Sequence, residues 1–297
     1  MINEKITWPN GAKCACCITF DMDADSTLHL SKPTNGFRYV SAISGLQYGP
    51  FVAIPRIIES YKSLNIKQTF FIPAWCIENY IKTVELILEN GHEIGIHGYL
   101  HENLLDHSLD GERRILEKSI NVFKRYVGYE PKGFRAPLYN FTDNTGELLV
   151  EFGFDYDSSL MGDDMPYIIT PKNGEIIELP THLGMDDGPQ FVQPYVYTGR
   201  PIRSPTSGFE IFKQEFFASY KYGGLWLPVF HPYASGRLAR WDVINSFLEE
   251  IISKRDVWFA PLSEIAIYVK DQIQTGHYRP MNMKVPQYGQ QILNDHN

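Results

Sequence analysis

Short apolar runs alternate with longer stretches in which apolar residues recur every three or four positions, and the alternation repeats along most of the chain. The short runs predict strands over 14–20, 68–72, 93–97, 133–135, 154–157, 175–180, 224–230 and 257–260. Between them lie helical patterns near 50–64, 78–90, 110–127, 143–152, 209–222, 238–253 and 262–270. Ile54, Ile57, Ile58, Tyr61 and Leu64, for example, form one apolar stripe. Gly91, Gly128 and Gly153 follow three of these helices as C-cap glycines do. Strand and helix alternating seven or eight times predict an α/β fold, a parallel sheet with helices outside. Closure as a distorted (β/α) barrel of seven or eight strands, in a single domain over 1–297, is the expected form. Two stretches lack periodicity, 22–49 and 182–208, and are expected to be long functional or assembly loops. From about residue 271 the chain reads as a polar tail suited to packing on a neighbour.

Composition narrows the class. At 297 residues and 43% hydrophobic, the chain has enough apolar mass for a core without disulfides. Its formal charge of −8 argues against nucleic acid, which calls for a basic face. No apolar run approaches the length of a membrane-spanning helix. The start, Met1-Ile2-Asn3-Glu4-Lys5, lacks the layout of a secretory signal, so a cytoplasmic location is expected. Cys14, Cys16, Cys17 and Cys76 show no paired zinc-knuckle spacing and read as buried core residues.

The chemistry gathers at strand ends. In parallel α/β barrels reactive residues cluster there, and five predicted strands end in ionisable groups. They are Asp21 and Asp23 (with Asp25 beyond), His97 and His101, Arg135, Asp157, and His231. His97 and His101 are four apart, so on a helical turn both imidazoles face one side. An Asp beside two His, with open positions left, is a ligand set for Zn²⁺ or another divalent metal. With two acids in Asp21-Met22-Asp23, one can ligate while the other takes a proton; a polar cap on the strand end is the plainer alternative. Arg135 suits a paired carboxylate and His231 an acid for a leaving group, though a structural ion pair and a core histidine are the competing readings. His182 and Trp75 are further candidates for the site or its wall. His92 and His107 read as structural. Asp186-Asp187 is either a substrate contact or a solvated turn.

Together these motifs resemble the polysaccharide deacetylase family, carbohydrate esterase family 4, over about residues 14 to 265. Thr19-Phe20-Asp21-Met22-Asp23 resembles its first motif, which implies Asp21 as base and Asp23 as metal ligand. His97-Gly98-Tyr99-Leu100-His101 resembles the second, implying both histidines as ligands. Arg135-Ala136-Pro137 resembles the third, implying an Arg that positions the catalytic Asp, and Phe230-His231-Pro232 the last, implying His231 as general acid. Leu138 departs from the family's Tyr, with Tyr139 following, at a position whose backbone N–H is implied to meet the oxyanion. Leu138, Tyr139 and Asp186 are thus the candidate substrate contacts. The Asp that orients the acidic His has no clean match; Asp157, Asp163 and Asp164 compete. Tyr48-Gly49-Pro50, Asp157-Ser158-Ser159-Leu160-Met161 and Glu178-Leu179-Pro180 are similar to a signal-less subgroup with peptidoglycan-deacetylase-like proteins, a metal-independent allantoinase type and cyclic imide hydrolases, commonly homotetramers.

The resemblance implies a metal-dependent hydrolase of C–N amide bonds, with one divalent metal, most simply zinc. Removal of acetyl from an N-acetylated sugar and opening of a small cyclic imide or ureide are the two substrate readings. A non-catalytic metal- or carbohydrate-binding module is the alternative of another class, disfavoured because Asp21, Arg135 and His231 are unnecessary for holding metal.

Overall fold

The computed structural model describes residues 5–192 and 202–286. Twelve strands are formed among them: β1 (Cys14–Cys16), β2 (Thr19–Asp21), β3 (Thr69–Ile72), β4 (Glu93–Ile96), β5 (Gly133–Phe134), β6 (Tyr156–Asp157), β7 (Tyr167–Thr170), β8 (Ile176–Glu178), β9 (Leu225–Trp226), β10 (Val229–Phe230), β11 (Val257–Phe259) and β12 (Asn282–Lys284). Seven run side by side in the order β10-β2-β3-β4-β5-β6-β8, every pair parallel. The side between β8 and β10 is spanned by 181–187 rather than by a full strand. There the Thr181 hydroxyl donates to the Leu227 carbonyl, and Asp186 bridges Val229 in parallel. This is the expected α/β architecture, with a seam.

The two long apolar runs each divide. The run 14–20 becomes β1 and β2, and 224–230 becomes β9 and β10, with β1, β9 and β11 forming a separate small sheet. Pro228 lies between β9 and β10 and has no N–H to give the ladder, so pairing lapses there. Parity along the first run decides what faces inward. Cys14, Cys16, Ile18, Phe20 and Met22 pack in the large core that includes the outer helices. Ala15 and Cys17 join Phe71, Tyr156, Ile177, Leu227 and Val229 in the second core. Thr19, Asp21 and Asp23 continue that second series. Strands covered on both faces are near-continuous in apolar residues, which is why the runs were so legible. All four cysteines are buried and free, as expected.

Gly91, Gly128 and Gly153 each have positive φ (72°, 89° and 74°), as C-cap glycines require. Other expectations need correction. The stretch 22–49 is not a bare loop: it holds helices Ser26–Ser31 and Val40–Tyr48, whose Leu28, Ala42 and Leu46 form a small cluster of their own. The stretch 182–208 contains the helix Gly188–Phe191 and the start of Pro205–Tyr222, while 193–201 lies outside the described residues. Strand β7 was not foreseen; it pairs antiparallel with β8. Nor is the region beyond 271 simply a tail: helix Leu262–Gln274 runs through its start, and β12 adds to the edge of β7.

His92, expected to be structural, sits at 4% exposure between β3 and β4, where its Nδ1 accepts from the Gln68 N–H at 3.1 Å. Burial, with Lys67 assisting, lowers its pKa from 6.5 to about 4. The folded state therefore holds this ring neutral, and its contribution to stability is complete above pH 6.5 and lost as pH falls toward 4. Protonation also turns the acceptor into a donor facing an N–H. We expect urea titrations to show His92→Gln losing less stability than wild type between pH 7 and pH 4, by roughly 2–3 kcal/mol; parallel curves would contradict this.

Candidate active site

The inward parity of β2 delivers two carboxylates to one end of the barrel, with Met22 between them turned into the core. Asp21 and Asp23 are 3% and 4% exposed. The loop after β4 brings His97 and His101 to them. His97 Nε2 lies 3.7 Å from Asp21 Oδ2 and 3.6 Å from Asp23 Oδ1, and His101 Nε2 is 3.6 Å from Asp23 Oδ2. The two histidines do converge, but not on the expected helical turn. Gly98 and His101 both have φ of 70°, so the chain reverses locally. Gly98 is required twice over, since a Cβ there would also meet Pro137 Cγ at 3.0 Å. Glu102 organises the same loop by accepting from the N–H groups of Tyr99 and Leu100 at 3.0 and 2.9 Å. Sequence reasoning missed Glu102, which carries no motif signal.

Arg135 follows β5 and is wholly buried. Its Nη1 donates to Asp21 Oδ1 at 2.7 Å and to Thr19 Oγ1 at 2.9 Å; Nε and Nη2 donate to the Ser158 carbonyl and hydroxyl, both at 2.9 Å. Burial pushes the Asp21 carboxyl up, but Arg135, with His97 and His231, outweighs it and holds the pKa below the ordinary value. Asp23 has no such partner: burial dominates and carries it to about 6. The Arg135 backbone acts as well, its carbonyl accepting from His97 Nδ1 at 2.7 Å. That bond fixes the tautomer with Nε2 free for a ligand.

His231 follows β10, its Nε2 3.5 Å from Asp23 Oδ2. The acid that orients it is Asp187, not Asp157, Asp163 or Asp164. Asp187 Oδ1 accepts from His231 Nδ1 at 2.7 Å and Oδ2 from the His231 N–H at 2.9 Å, with the Ser235 hydroxyl donating to Oδ2 as well. Burial lowers the His231 pKa, yet Asp187, Asp186 and Asp23 raise it well above the usual value. Asp157 lies in β6 and is taken up by Ser159, while Asp163 and Asp164 are exposed. The sequence signal for Asp187 was present as Asp186-Asp187-Gly188-Pro189, but only the pairing of this segment with β10 makes it meaningful.

Tyr139 donates its hydroxyl to Asp186, and Asp186 Oδ1 accepts from the Gly188 N–H at 2.6 Å. Leu138 is 59% exposed beside them. Leu138 and Tyr139 are consecutive non-glycine residues at φ 58° and 59°, a conformation costing roughly 1–3 kcal/mol each. Asp25 stays outside the group, held by the Tyr80 hydroxyl and by Gln47 and His29 at 3.3 Å. His182 does not join either; half-exposed, it faces Glu215 at 3.7 Å. Trp75 is half-buried against the His29 ring, 5.0 Å between centroids.

The donor set suits a divalent cation. Donor atoms of Asp23, His97 and His101 lie within 4.8 Å of one another, and among the described residues buried Asp23 Oδ1 has no hydrogen-bond partner. A carboxylate with an unsatisfied buried oxygen, facing imidazole nitrogens too distant to hydrogen-bond, is donor chemistry that fits a divalent ion.

Residues 47–156 match the family profile for polysaccharide deacetylase. A Helicobacter pylori peptidoglycan deacetylase is 39% identical over 119 residues, covering 40% of this chain and 41% of that protein. A structure from Mycobacterium smegmatis, assigned to the polysaccharide deacetylases, is 34% identical with a TM-score of 0.88, covering 97% of this chain and 99% of that one. The chain belongs to the polysaccharide deacetylase family. The family fold extends further: an allantoinase shares it with a TM-score of 0.76 at 22% identity, over 87% of this chain and 91% of that one.

Removing Arg135 leaves Asp21 charged and buried without its partner. We expect Arg135→Met to cost about 3–5 kcal/mol in chemical denaturation. The double variant Asp21→Asn/Arg135→Met should recover part of that loss; additive losses would show the two residues to be independent.

Proposed function

We propose that the protein is a metal-dependent hydrolase of amide-type C–N bonds that removes acetyl from an N-acetylated sugar. The observation that carries this is the pair of carboxylates in unlike surroundings, one beside Arg135 and one beside two histidines. A binding module needs only the second. Asp23, His97 and His101 would hold the divalent ion, for which zinc suits two imidazoles and a carboxylate. When bound, the ion supplies Lewis acidity toward the scissile carbonyl and makes water easier to deprotonate.

The chain's own groups do the rest. Asp21, kept ionised by Arg135, accepts a proton from the attacking water. The Leu138 N–H donates to the carbonyl oxygen as negative charge develops on it. Cationic His231, its Nδ1 committed to Asp187, donates from Nε2 to the departing nitrogen. These are the two roles that paired acids and bases take when their environments push their pKa values apart.

A second substrate reading is favoured by burial. His97 and His101 are 2% and 8% exposed, and a small cyclic imide or ureide reaches such recessed groups more easily than a polymer does. A proton NMR time course separates the two. The zinc-loaded protein is offered N-acetylglucosamine oligomers, succinimide, dihydrouracil, hydantoin and allantoin in turn, with chelator-treated controls. A growing acetate signal establishes the deacetylase; ring-opened amide signals without acetate establish the cyclic amide hydrolase. Asp21→Asn should retain zinc and lose about 100-fold or more in kcat, and unchanged turnover would remove Asp21 from its role. Calorimetric zinc titration should give a single tight site in wild type and none in His101→Ala; equal affinity in the two would end the metal assignment.

A further inference from the structure

The turn after β5 is tied across the mouth of the barrel by one side chain. Leu138 and Tyr139 both hold positive φ, and such conformations persist only where surrounding contacts fix them. Around them each backbone N–H is accounted for. Ala136 donates to Ser159 Oγ at 2.8 Å, Tyr139 to the Ala136 carbonyl at 3.0 Å and Asn140 to the Pro137 carbonyl at 3.1 Å. Leu138 differs: among the described residues its N–H has no acceptor. On the near side the turn is held by Asn140, whose Nδ2 donates to Asn103 Oδ1 at 2.7 Å. On the far side it is held by the Tyr139 hydroxyl on Asp186.

Asp186 is a rigid anchor. Its backbone bridges Val229 of β10, its Oδ1 takes the Gly188 N–H, and its neighbour Asp187 grips His231. The bond therefore links the turn carrying the free Leu138 N–H to the segment carrying the candidate proton donor.

We propose that Tyr139 and Asp186 are positioning residues, their hydrogen bond clasping the Leu138–Tyr139 turn so that the Leu138 N–H stands where the carbonyl oxygen gains charge. This rests on the oxyanion role given above to Leu138. It replaces substrate contact, the role expected of both side chains, with control of a backbone donor. A clasp of this kind acts on the transition state and leaves ground-state binding nearly untouched.

The sequence allows a direct test. Pro137-Leu138 and Pro261-Leu262 are the chain's two Pro-Leu pairs, so carbonyl-¹³C proline with ¹⁵N leucine labels two amides. Leu262, whose N–H donates to Thr69 Oγ1 at 2.8 Å, is the internal control for folding. In Tyr139→Phe we expect the Leu138 cross-peak to shift or broaden while Leu262 stays in place. With the compound that the substrate panel identifies, kcat should fall about tenfold and KM change less than about twofold. Asp186→Ala should do the same and the double variant no worse than either single change. Asp186→Asn, which keeps an acceptor oxygen, should be milder. A Leu138 cross-peak unmoved in Tyr139→Phe overturns the clasp. A moved cross-peak with kcat intact overturns its positioning role, and a raised KM at constant kcat returns Tyr139 to substrate contact. Wild type inert on every compound, with the Leu138 shift still seen, counts against the hydrolase reading and for the clasp.

Discussion

A guanidinium without solvent must find an acceptor for its N–H groups inside the protein, and Arg135 finds them on opposite sides of the barrel. Thr19 and Asp21 come from β2 and Ser158 from the end of β6, while the guanidinium carbon lies 4.2 Å from the centroid of the Phe71 ring. The burial of this charge is tolerable only because those partners stand where they do. The order of the strands around the barrel is therefore tied to the electrostatics of the site. The same residue sets the charge of Asp21 through its side chain and the tautomer of His97 through its carbonyl. Neither the ionisation of Asp21 nor the ring orientation of His97 is independent of it.

That coupling explains how two acids two residues apart come to differ. Asp21 ends β2 and Asp23 lies two residues past it, at a like depth of burial. Only Asp21 has a permanent cation against it, and it alone is held below the ordinary carboxylate range. Asp23, with no fixed cation against it, is carried by burial to about 6 among imidazoles. The opposite wall has its own pairing, Asp187 with His231, so the mouth is built of three linked units rather than of separate side chains.

Most of this was legible where a reactive residue ends an apolar run. The strand fixes the position of Asp21, Arg135 and His231 to within a residue, and strand polarity brings those ends together. What resisted reading was whatever depends on contacts between distant segments. Asp187 belongs to a stretch without periodicity, ordered by its bridge to β10, and Asp157 looked as good because one strand end resembles another. His97 and His101 were recognised for a local reason that does not hold: two positive-φ residues, not a helical turn, bring them together. The helices within 22–49 are short, and their apolar contacts number too few residues to register as a stripe. Strand β7 has four residues and gains its meaning only from β8 and β12 on either side.

The alternation along β2 imposes a reading frame on the chemistry. Phe20 and Met22 belong to the outer core, Asp21 and Asp23 to the mouth, and one inserted or deleted residue before Asp21 would exchange the two sets. Such a change would drive carboxylates into an apolar layer and methionine into the site, with no intermediate outcome. Strand β2 ends at Asp21, its pairing continues only through the Met22 N–H on the Phe71 carbonyl, and past Asp23 the constraint lapses. It is here, within a few residues, that the chain carries its extra helices. The alternation of β2 restricts insertions before Asp21, and it places no such restriction on the segment that follows Asp23.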